Sequence, residues 1–297
     1  MFHKILCPTD LSEYASAMVA CLPELKAAGL RHVVLLHAIN PRWLAVNGVG
    51  SNLREALHNE AMRALTAAQA DLASADITAD VIIEVGPPAQ VILAVADAQD
   101  VDAIVIGAHG RSHLEEFLLG GEVAKVVRTS RRPVLVQRFE LLRSLDLVEC
   151  KRLCAQTFQR VLYPTDFSDH AQAAQETIKA LHGVVEEVIV LHVQDERAMR
   201  HRSAEQLAEF DRIDRERLEA ICADLAAAGI RARARLEHGV PFERITATTG
   251  EEGASSIVIG SRGRSAIAEW LLGSVAENVI RHASVPVLVV HRKEKLA

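Results

Sequence analysis

The sequence lacks a long run of apolar residues. None approaches the roughly 18 to 20 residues that a helix needs to cross a bilayer. The N-terminal stretch MFHKILCPTDLS reaches a turn before the apolar core of a signal peptide could form. We therefore expect a cytoplasmic protein that has no membrane partner.

Cysteine is scarce, with 5 residues in a chain of 297. An odd number in a long chain without an export signal argues against a framework of structural disulfides. Cys150 and Cys154 would share one face of a helix, but two thiols supply too few ligands for a structural metal site. We interpret them as reduced thiols and predict no metal site.

A basic excess is also absent. The chain has 33 Lys and Arg against 39 Asp and Glu, a net charge of -6, and neither half is basic. Binding to a phosphate backbone needs the opposite balance, so we predict no nucleic-acid partner. The 49% of hydrophobic and 24% of charged residues are typical of folded globular proteins.

Two nucleotide motifs are missing. There is no G-x-x-x-x-G-K-[S/T] sequence, so a P-loop ATPase is not supported. The turn after the first predicted strand contains Pro and Asp rather than G-x-G-x-x-G, which disfavours a dinucleotide oxidoreductase.

The chain does contain an internal repeat, which sets the architecture before any single residue is interpreted. We predict two tandem domains, 1–138 and 159–297, joined by a partly helical linker, 139–158. The matching pairs, in chain order, are KILCPTDLS at 4–12 with RVLYPTDFS at 160–168, VVLLHA at 33–38 with VIVLHV at 188–193, EVGPPAQVI at 84–92 with EHGVPFERI at 237–245, IVIGAHGRS at 104–112 with IVIGSRGRS at 257–265, and RRPVLV at 131–136 with SVPVLV at 284–289.

Each copy alternates short apolar runs with longer helical stretches. The runs are apolar at consecutive positions, which is typical of parallel strands covered on both faces. Right-handed crossovers between such strands give an open sheet. The fold class is therefore α/β, with two tandem open, parallel five-stranded, doubly wound domains. The strands of the first copy are predicted at 5–7, 33–38, 81–85, 104–107 and 134–137.

Local sequence signals predict the ends of one helix and the edge strand of one sheet. Ser203 with Gln206 predicts a capping box, and Gly229 predicts the end of the same helix. The alternation of Arg231, Arg233 and Arg235 with apolar residues indicates an edge strand with one charged face, and a nucleic-acid contact is the alternative. His37 and His192, at equivalent strand ends, are interpreted as structural histidines.

Two repeated loops follow strands and are candidate ligand sites, because open parallel sheets bind ligands at the carboxyl ends of strands. Asp166 could accept a hydrogen bond from a ligand or cap the next helix. The segment Gly260-Ser261-Arg262-Gly263, nine residues, then Gly273-Ser274 at a helix start suits a phosphate. A glycine-rich turn followed by an ordinary serine cap is the alternative.

The PTD loop, the LHV strand end and the G-2x-G-9x-G-S pattern resemble the universal stress protein family. The resemblance covers both copies and implies a Rossmann-like fold that binds adenine nucleotides. It also implies ATP binding, with or without Mg²⁺, in members that carry the complete glycine motif. Tandem members are similar to a family dimer fused into one chain, which implies an internal pseudo-dimer meeting at the last strands, 133–137 and 286–290.

The resemblance implies roles for individual residues of the second copy. Asp166 and the backbone of Val193 would lie beside the adenosine, Gly260 and Gly263 would approach the ribose and phosphates, and Ser274 would hold the phosphate tail. The complete candidate site comprises Pro164, Thr165, Asp166, Val193, Ile259, Gly260, Arg262, Gly263, Arg264, Gly273, Ser274 and Val275.

The first copy departs from the pattern. Ala38 replaces Val, and Gly121 stands where Ser or Thr is expected, which removes a phosphate contact worth about 1 to 3 kcal/mol. We predict a site that is weak, altered or empty, and His109 there is poor evidence for catalysis. Its residues are Thr9, Asp10, Ala38, Gly107, His109, Gly110, Gly120 and Gly121.

The leading hypothesis is an ATP-binding tandem universal stress protein that acts as a stress-response signalling module with an unidentified protein partner. A slow ATPase or phosphotransferase is one alternative, although we identify no catalytic residue. A nucleotide-independent interaction scaffold is the other. Association of two chains into a homodimer is left open.

Overall fold

The computed structural model describes residues 2–41, 51–108, 119–138, 146–200, 202–263 and 272–292. The chain forms two compact units, Met1–Ala155 and Gln156–Ala297. The first contains β1 (Lys4–Pro8), α1 (Glu13–Cys21), a 3-10 helix (Leu22–Ala28), β2 (His32–Ile39), α2 (Ser51–Ser74), β3 (Thr78–Val85), α3 (Pro88–Ala98), β4 (Ala103–Gly107), α4 (Gly121–Thr129), β5 (Val134–Gln137) and α5 (Leu147–Ala155). The second contains β6 (Arg160–Pro164), α6 (Asp169–Lys179), β7 (Glu187–Asp195), α7 (Glu196–Met199), α8 (Ala204–Ala227), β8 (Arg231–Gly239), α9 (Pro241–Glu251), β9 (Ser256–Gly260), α10 (Ser274–His282) and β10 (Val287–Val290).

The strands of each unit form a parallel sheet with the same order. In the first unit the order is β3-β2-β1-β4-β5. In the second it is β8-β7-β6-β9-β10. Since the order reverses beside β1, right-handed crossovers send α1 and α2 to one face and α3 and α4 to the other, and each pair packs together. The predicted class, two tandem open doubly wound α/β domains, is confirmed.

The core of each unit lies around its central strands. Residues 33–36 of β2 and 188–191 of β7 are all fully buried. Burial of each such Val or Leu side chain contributes about 1.5 to 3 kcal/mol. Helices covering both faces of the sheet explain why these strands are apolar at consecutive positions instead of alternating.

The predicted helix ends are present. The Ser203 hydroxyl accepts a hydrogen bond from Gln206 N while the Gln206 side chain accepts one from Ser203 N, which confirms the capping box. Gly229, which follows α8, has a φ of 81°. That left-handed conformation strongly favours glycine, so the helix ends there.

Helix α5 lies within the segment predicted as a linker and belongs to the first compact unit. It packs against α1 and against the 3-10 helix. Cys150 and Cys154 are each only 6% exposed, whereas Val148 is 77% exposed. Burial of one face therefore attaches this part of the segment to the first unit.

Strand β8 pairs with β7 and forms the edge of the second sheet, as predicted. Two of its arginines face carboxylates of the same unit. Arg233 donates to Glu187 and Glu252, and Arg235 donates to Glu237, Glu251 and Glu252. Arg231 donates to the backbone oxygen of Glu186. These partners lie within the unit, so the edge-strand interpretation explains the charged face without a nucleic acid.

The pKa of Glu252 leads to a stability prediction. Hydrogen bonds from Arg233 and then Arg235 lower this pKa from 4.5 to about 2, and the side chain is 17% exposed. A lowered carboxyl pKa stabilises the fold fully above pH 4.5, and this stabilisation is lost as the pH falls toward 2. We expect Glu252→Gln to lower the free energy of unfolding by about 1 kcal/mol at neutral pH.

Urea unfolding at about pH 7 and about pH 3.5 measures the difference, which should shrink at the lower pH. The exposed Glu219→Gln on α8 is the matched control and should change the free energy of unfolding little at either pH. An equal loss for Glu252→Gln at both pH values would contradict the prediction.

Candidate functional site

The predicted site of the second unit is assembled at the carboxyl ends of β6 and β9. These strands are hydrogen-bonded neighbours. Pro164 ends β6, Gly260 ends β9, and α10 begins at Ser274. The strand order reverses between these two strands, which is where open α/β sheets bind ligands.

The loop after β6 is fixed by its own side chains. Thr165 Oγ1 accepts a hydrogen bond from Phe167 N at 3.0 Å, and Asp166 Oδ1 accepts one from Ser168 N at 3.1 Å. The cap of α6 is Ser168, whose hydroxyl accepts from Ala171 N. The alternative interpretation of Asp166 as the helix cap is therefore wrong, since Asp166 stabilises the turn that precedes the cap.

Two glycines, at the end of β9 and in the loop after it, lie too close to neighbouring segments for a side chain to fit without a shift. A Cβ on Gly263 would lie 2.6 Å from Asp166 Oδ2. A Cβ on Gly260 would lie 2.7 Å from both the carbonyl carbon and the oxygen of His170. The obstacle at Gly260 is backbone, so packing alone requires glycine there. The obstacle at Gly263 is the end of the Asp166 side chain, which any larger residue would have to displace.

The start of α10 lies beside this loop and has no side-chain cap from the described residues. Gly273 N donates to Ser261 O at 2.9 Å, which brings the helix start back against the end of β9. No side chain of the described residues caps the helix at Gly273, and Ser274 is exposed. A helix N-terminus with uncapped N–H groups and an exposed hydroxyl is suited to bind an anion.

Charged groups surround the same edge. Arg262, half-buried, belongs to the loop after β9, and Arg292 follows β10 and pairs with Asp169 at 2.6 Å. The pKa of His170, on the first turn of α6, is lowered by burial and then by the positive charges of Arg262 and Arg292. The carboxylates of Asp166 and Asp169 oppose this shift. Burial is therefore the largest cause of the lowered pKa, and the two arginines add to it.

Sequence reasoning missed His170 and Arg292. Arg292 follows the last strand, so the rule that ligands bind beyond the carboxyl ends of strands could have found it. His170 has no comparable signal, because only the packing of α6 against β9 and β10 places it there.

A buried polar cluster contacts the loop after β6. His192 Nδ1 lies 2.7 Å from Thr165 O, and its ring stacks at 4.5 Å from the ring of Phe167. Asp214 on α8 lies 3.5 Å from His192 Nε2 and accepts a hydrogen bond from Gln194 at 2.8 Å. The structural interpretation of His192 is confirmed, whereas the sequence did not indicate Asp214.

The first unit repeats the geometry with two changes. Asp10 Oδ1 accepts hydrogen bonds from Ser12 N and Ser12 Oγ, at 3.0 and 2.6 Å, and α4 begins after Gly120 without a side-chain cap. Gly121 is exposed and provides no hydroxyl. Glu122 adds a carboxylate to the first turn, where it accepts from Ala89 N at 2.9 Å. Lys125 pairs with this carboxylate at 2.7 Å, and α10 likewise has an acidic residue, Glu277, in its first turn.

The remaining predicted residues lie at or near the carboxyl ends of strands, except Val275, which lies in the first turn of α10. Pro164 and Ile259 are buried, Val193 and Val275 are half-buried, and in the first unit Thr9 is buried while Ala38 and Gly107 are half-buried. Arg264, His109 and Gly110 lie outside the described residues.

The described part of the chain contains no group of three or more His, Cys, Asp or Glu side chains placed to hold a metal ion. Its helices include none with the length and apolar character needed to cross a bilayer.

The chain is similar to proteins of a known family. The model of the Universal stress protein family matches residues 1–138 and 157–291. Universal stress protein MJ0577 of Methanocaldococcus jannaschii is 36% identical over 156 residues, which cover 46% of this chain and 96% of that protein. A universal stress protein of Thermus aquaticus is 32% identical over 148 residues, which cover 45% and 98%.

A solved structure extends the likeness to the whole chain. The crystal structure of a universal stress protein from Archaeoglobus fulgidus is 28% identical, with a TM-score of 0.73. The match covers 97% of this chain and 96% of that one. With two family matches and a relative of the same two-unit length, the chain belongs to the universal stress protein family.

Proposed function

We propose that the second unit binds an adenine nucleotide, with ATP as the preferred ligand. We further propose that this binding makes the chain a stress-response signalling module that acts on a protein partner. The first unit would bind nucleotide weakly or not at all. The observation that carries the proposal is the uncapped start of α10, with exposed Ser274 beside the glycine loop after β9.

The residues present fit a phosphorylated ligand. The N–H groups at the start of α10 and the Ser274 hydroxyl would donate to phosphate oxygens, and the half-buried Arg262 would add a charged donor. Asp166 would accept from the ribose, and the backbone of Val193 would lie beside the base. Because the described residues hold no acidic cluster suited to a metal, we propose that any Mg²⁺ enters with the phosphates.

The difference between the units supports a preference for the second. Ser274 and Val275 occupy the first turn of α10, where the first unit has Gly121 and Glu122. The first unit thus lacks the hydroxyl donor of the second, while each helix has one acidic residue in its first turn, Glu122 in α4 and Glu277 in α10. The missing hydroxyl weakens phosphate binding by about tenfold to a hundredfold.

Titration calorimetry with ATP tests the function directly. We expect one binding event per chain in the micromolar range or tighter, on the order of -8 kcal/mol. No heat and no displacement of a fluorescent ATP analogue would favour the nucleotide-independent scaffold. Steady phosphate release that Asp166→Ala abolishes would favour the slow ATPase or phosphotransferase.

The first prediction for this site concerns Gly263. Because a Cβ at this position would lie 2.6 Å from Asp166 Oδ2, Gly263→Ala must displace the carboxylate or the loop. We expect a loss of ATP affinity of at least about tenfold by calorimetry. Gly250→Ala, where no atom lies within 4 Å of the added Cβ, is the matched control and should bind like wild type. Unchanged affinity in Gly263→Ala would count against the site.

The second prediction concerns Gly121. A Cβ there meets no atom within 4 Å, so serine can be introduced without a clash. We expect Gly121→Ser to strengthen nucleotide binding to the first unit by about tenfold, because it restores the hydroxyl at the helix start. Calorimetry in the Gly263→Ala background isolates the first site. Gly183→Ser, equally unhindered, is the control, and an identical isotherm for both variants would refute the hydroxyl's role.

The third prediction concerns His170. Its lowered pKa means that the ring is protonated at a lower pH than the ordinary value of 6.5. Removal of a nearby positive charge stabilises the protonated ring, so Arg262→Gln should raise the pH at the midpoint of the His170 titration. NMR titration of the ring protons, assigned by their loss in His170→Gln, measures this. Arg212→Gln, on an exposed part of α8, is the control and should leave the titration midpoint of His170 unchanged. An unchanged midpoint in Arg262→Gln would contradict an effect of the Arg262 charge on His170.

A further inference from the structure

Three of the five cysteines come together in the first unit. Cys21 is the last residue of α1, and Cys150 and Cys154 lie on α5, which packs against α1. Their exposed fractions are 3%, 6% and 6%. The sequence places Cys150 and Cys154 on one helical face but gives no sign that Cys21 is their neighbour.

Cys21 and Cys154 meet where α5 packs on α1. Both line one small cavity together with Met18, Leu22 and Leu25. The cavity volume of about 10 Å³ leaves room for at most one water-sized molecule. Cys150 lies nearby but does not line this cavity. The shared cavity therefore places Cys21 and Cys154 as the pair that can react with each other.

The pKa values of the two thiols are shifted in opposite directions. The neighbouring Cys154 thiol lowers the pKa of the Cys21 thiol against the opposing effect of burial, and the charge of Lys151 adds to the lowering. The neighbouring Cys21 thiol and burial raise the pKa of Cys154. Cys21 is therefore the more readily deprotonated thiol of the pair, and the thiolate is the reactive form of cysteine.

The other cysteines have no such arrangement. Cys7 is fully buried in β1, and burial raises its pKa to about 12. Burial also raises the pKa of Cys222 on α8. Both thiols stay protonated near neutral pH, which makes them poor nucleophiles.

We propose that Cys21 and Cys154 form a reversible disulfide when the protein meets a peroxide, and that this bond fixes α5 to α1. The Cys21 thiolate attacks hydrogen peroxide, which gives a sulfenic acid and hydroxide. The Cys154 thiol then displaces the sulfenic oxygen as water and forms the S–S bond. A dithiol reductant restores both thiols by exchange.

The proposed bond would make the attachment of α5 to the first unit sensitive to oxidants. Helix α5 is the last element of the first unit before β6 begins. With the bond formed, α5 cannot leave α1 without breaking a covalent link that encloses most of the first unit. Oxidation therefore stabilises the docked position of α5, independently of any nucleotide in the second unit.

Mass spectrometry of the intact full-length chain after peroxide treatment tests the proposal. Because the thiols are buried, treatment continues until the count of free thiols is constant. We expect a loss of two of the five thiols. Digestion with trypsin and a glutamate-specific protease under non-reducing conditions should then yield fragment 14–24, which contains Cys21, joined to fragment 153–160, which contains Cys154. Dithiothreitol should separate them.

Variants identify the order of the steps. Cys154→Ser should stop the cross-link and leave a Cys21 sulfenic acid that dimedone labels, whereas Cys222→Ser should behave like wild type. Circular dichroism confirms that each variant is folded. The proposal is overturned by a constant thiol count, by a bond from Cys21 to Cys150, by bonds between chains, or by dimedone labelling of Cys154 in place of Cys21.

Discussion

The end of β9 and the loop after it can lie against α6 and the loop after β6 because Gly260 and Gly263 carry no side chain. At Gly263 the first atom of a side chain would collide with Asp166, and at Gly260 it would collide with the backbone of His170. This close approach joins the ends of two neighbouring strands, and the Gly273–Ser261 hydrogen bond adds the start of α10. A site built from three segments that are distant in the sequence depends on it.

The two units share one fold while the groups at their candidate sites differ. Both units keep the parallel sheet, the turn-forming Asp and the uncapped helix start. They differ in the first turn of that helix, where Ser274 and Val275 of one unit correspond to Gly121 and Glu122 of the other. Duplication preserves the glycines that folding requires, while positions exposed at the helix start are free to change without loss of the core.

Much of the fold follows from the sequence, because consecutive apolar residues, glycine stops and a capping box are local signals. The internal repeat shows the pattern of each strand twice. The contacts that required the structure are those between distant segments. Asp166 looks the same from the sequence whether it caps a helix or stabilises a turn, and only the position of Ser168 decides between them. His170, Asp214 and Cys21 carry no local signal, since helix packing alone gives them their neighbours.

The central claim is that one adenine nucleotide binds per chain, in the second unit. Native mass spectrometry of the full-length protein, purified without added nucleotide and then titrated with ATP, tests it most directly. The account predicts that an adduct of one adenine nucleotide per chain saturates well before a second appears. Two nucleotide adducts that fill in parallel would contradict it. So would the absence of any adduct at millimolar ATP, a concentration that corresponds to a binding free energy on the order of -4 kcal/mol.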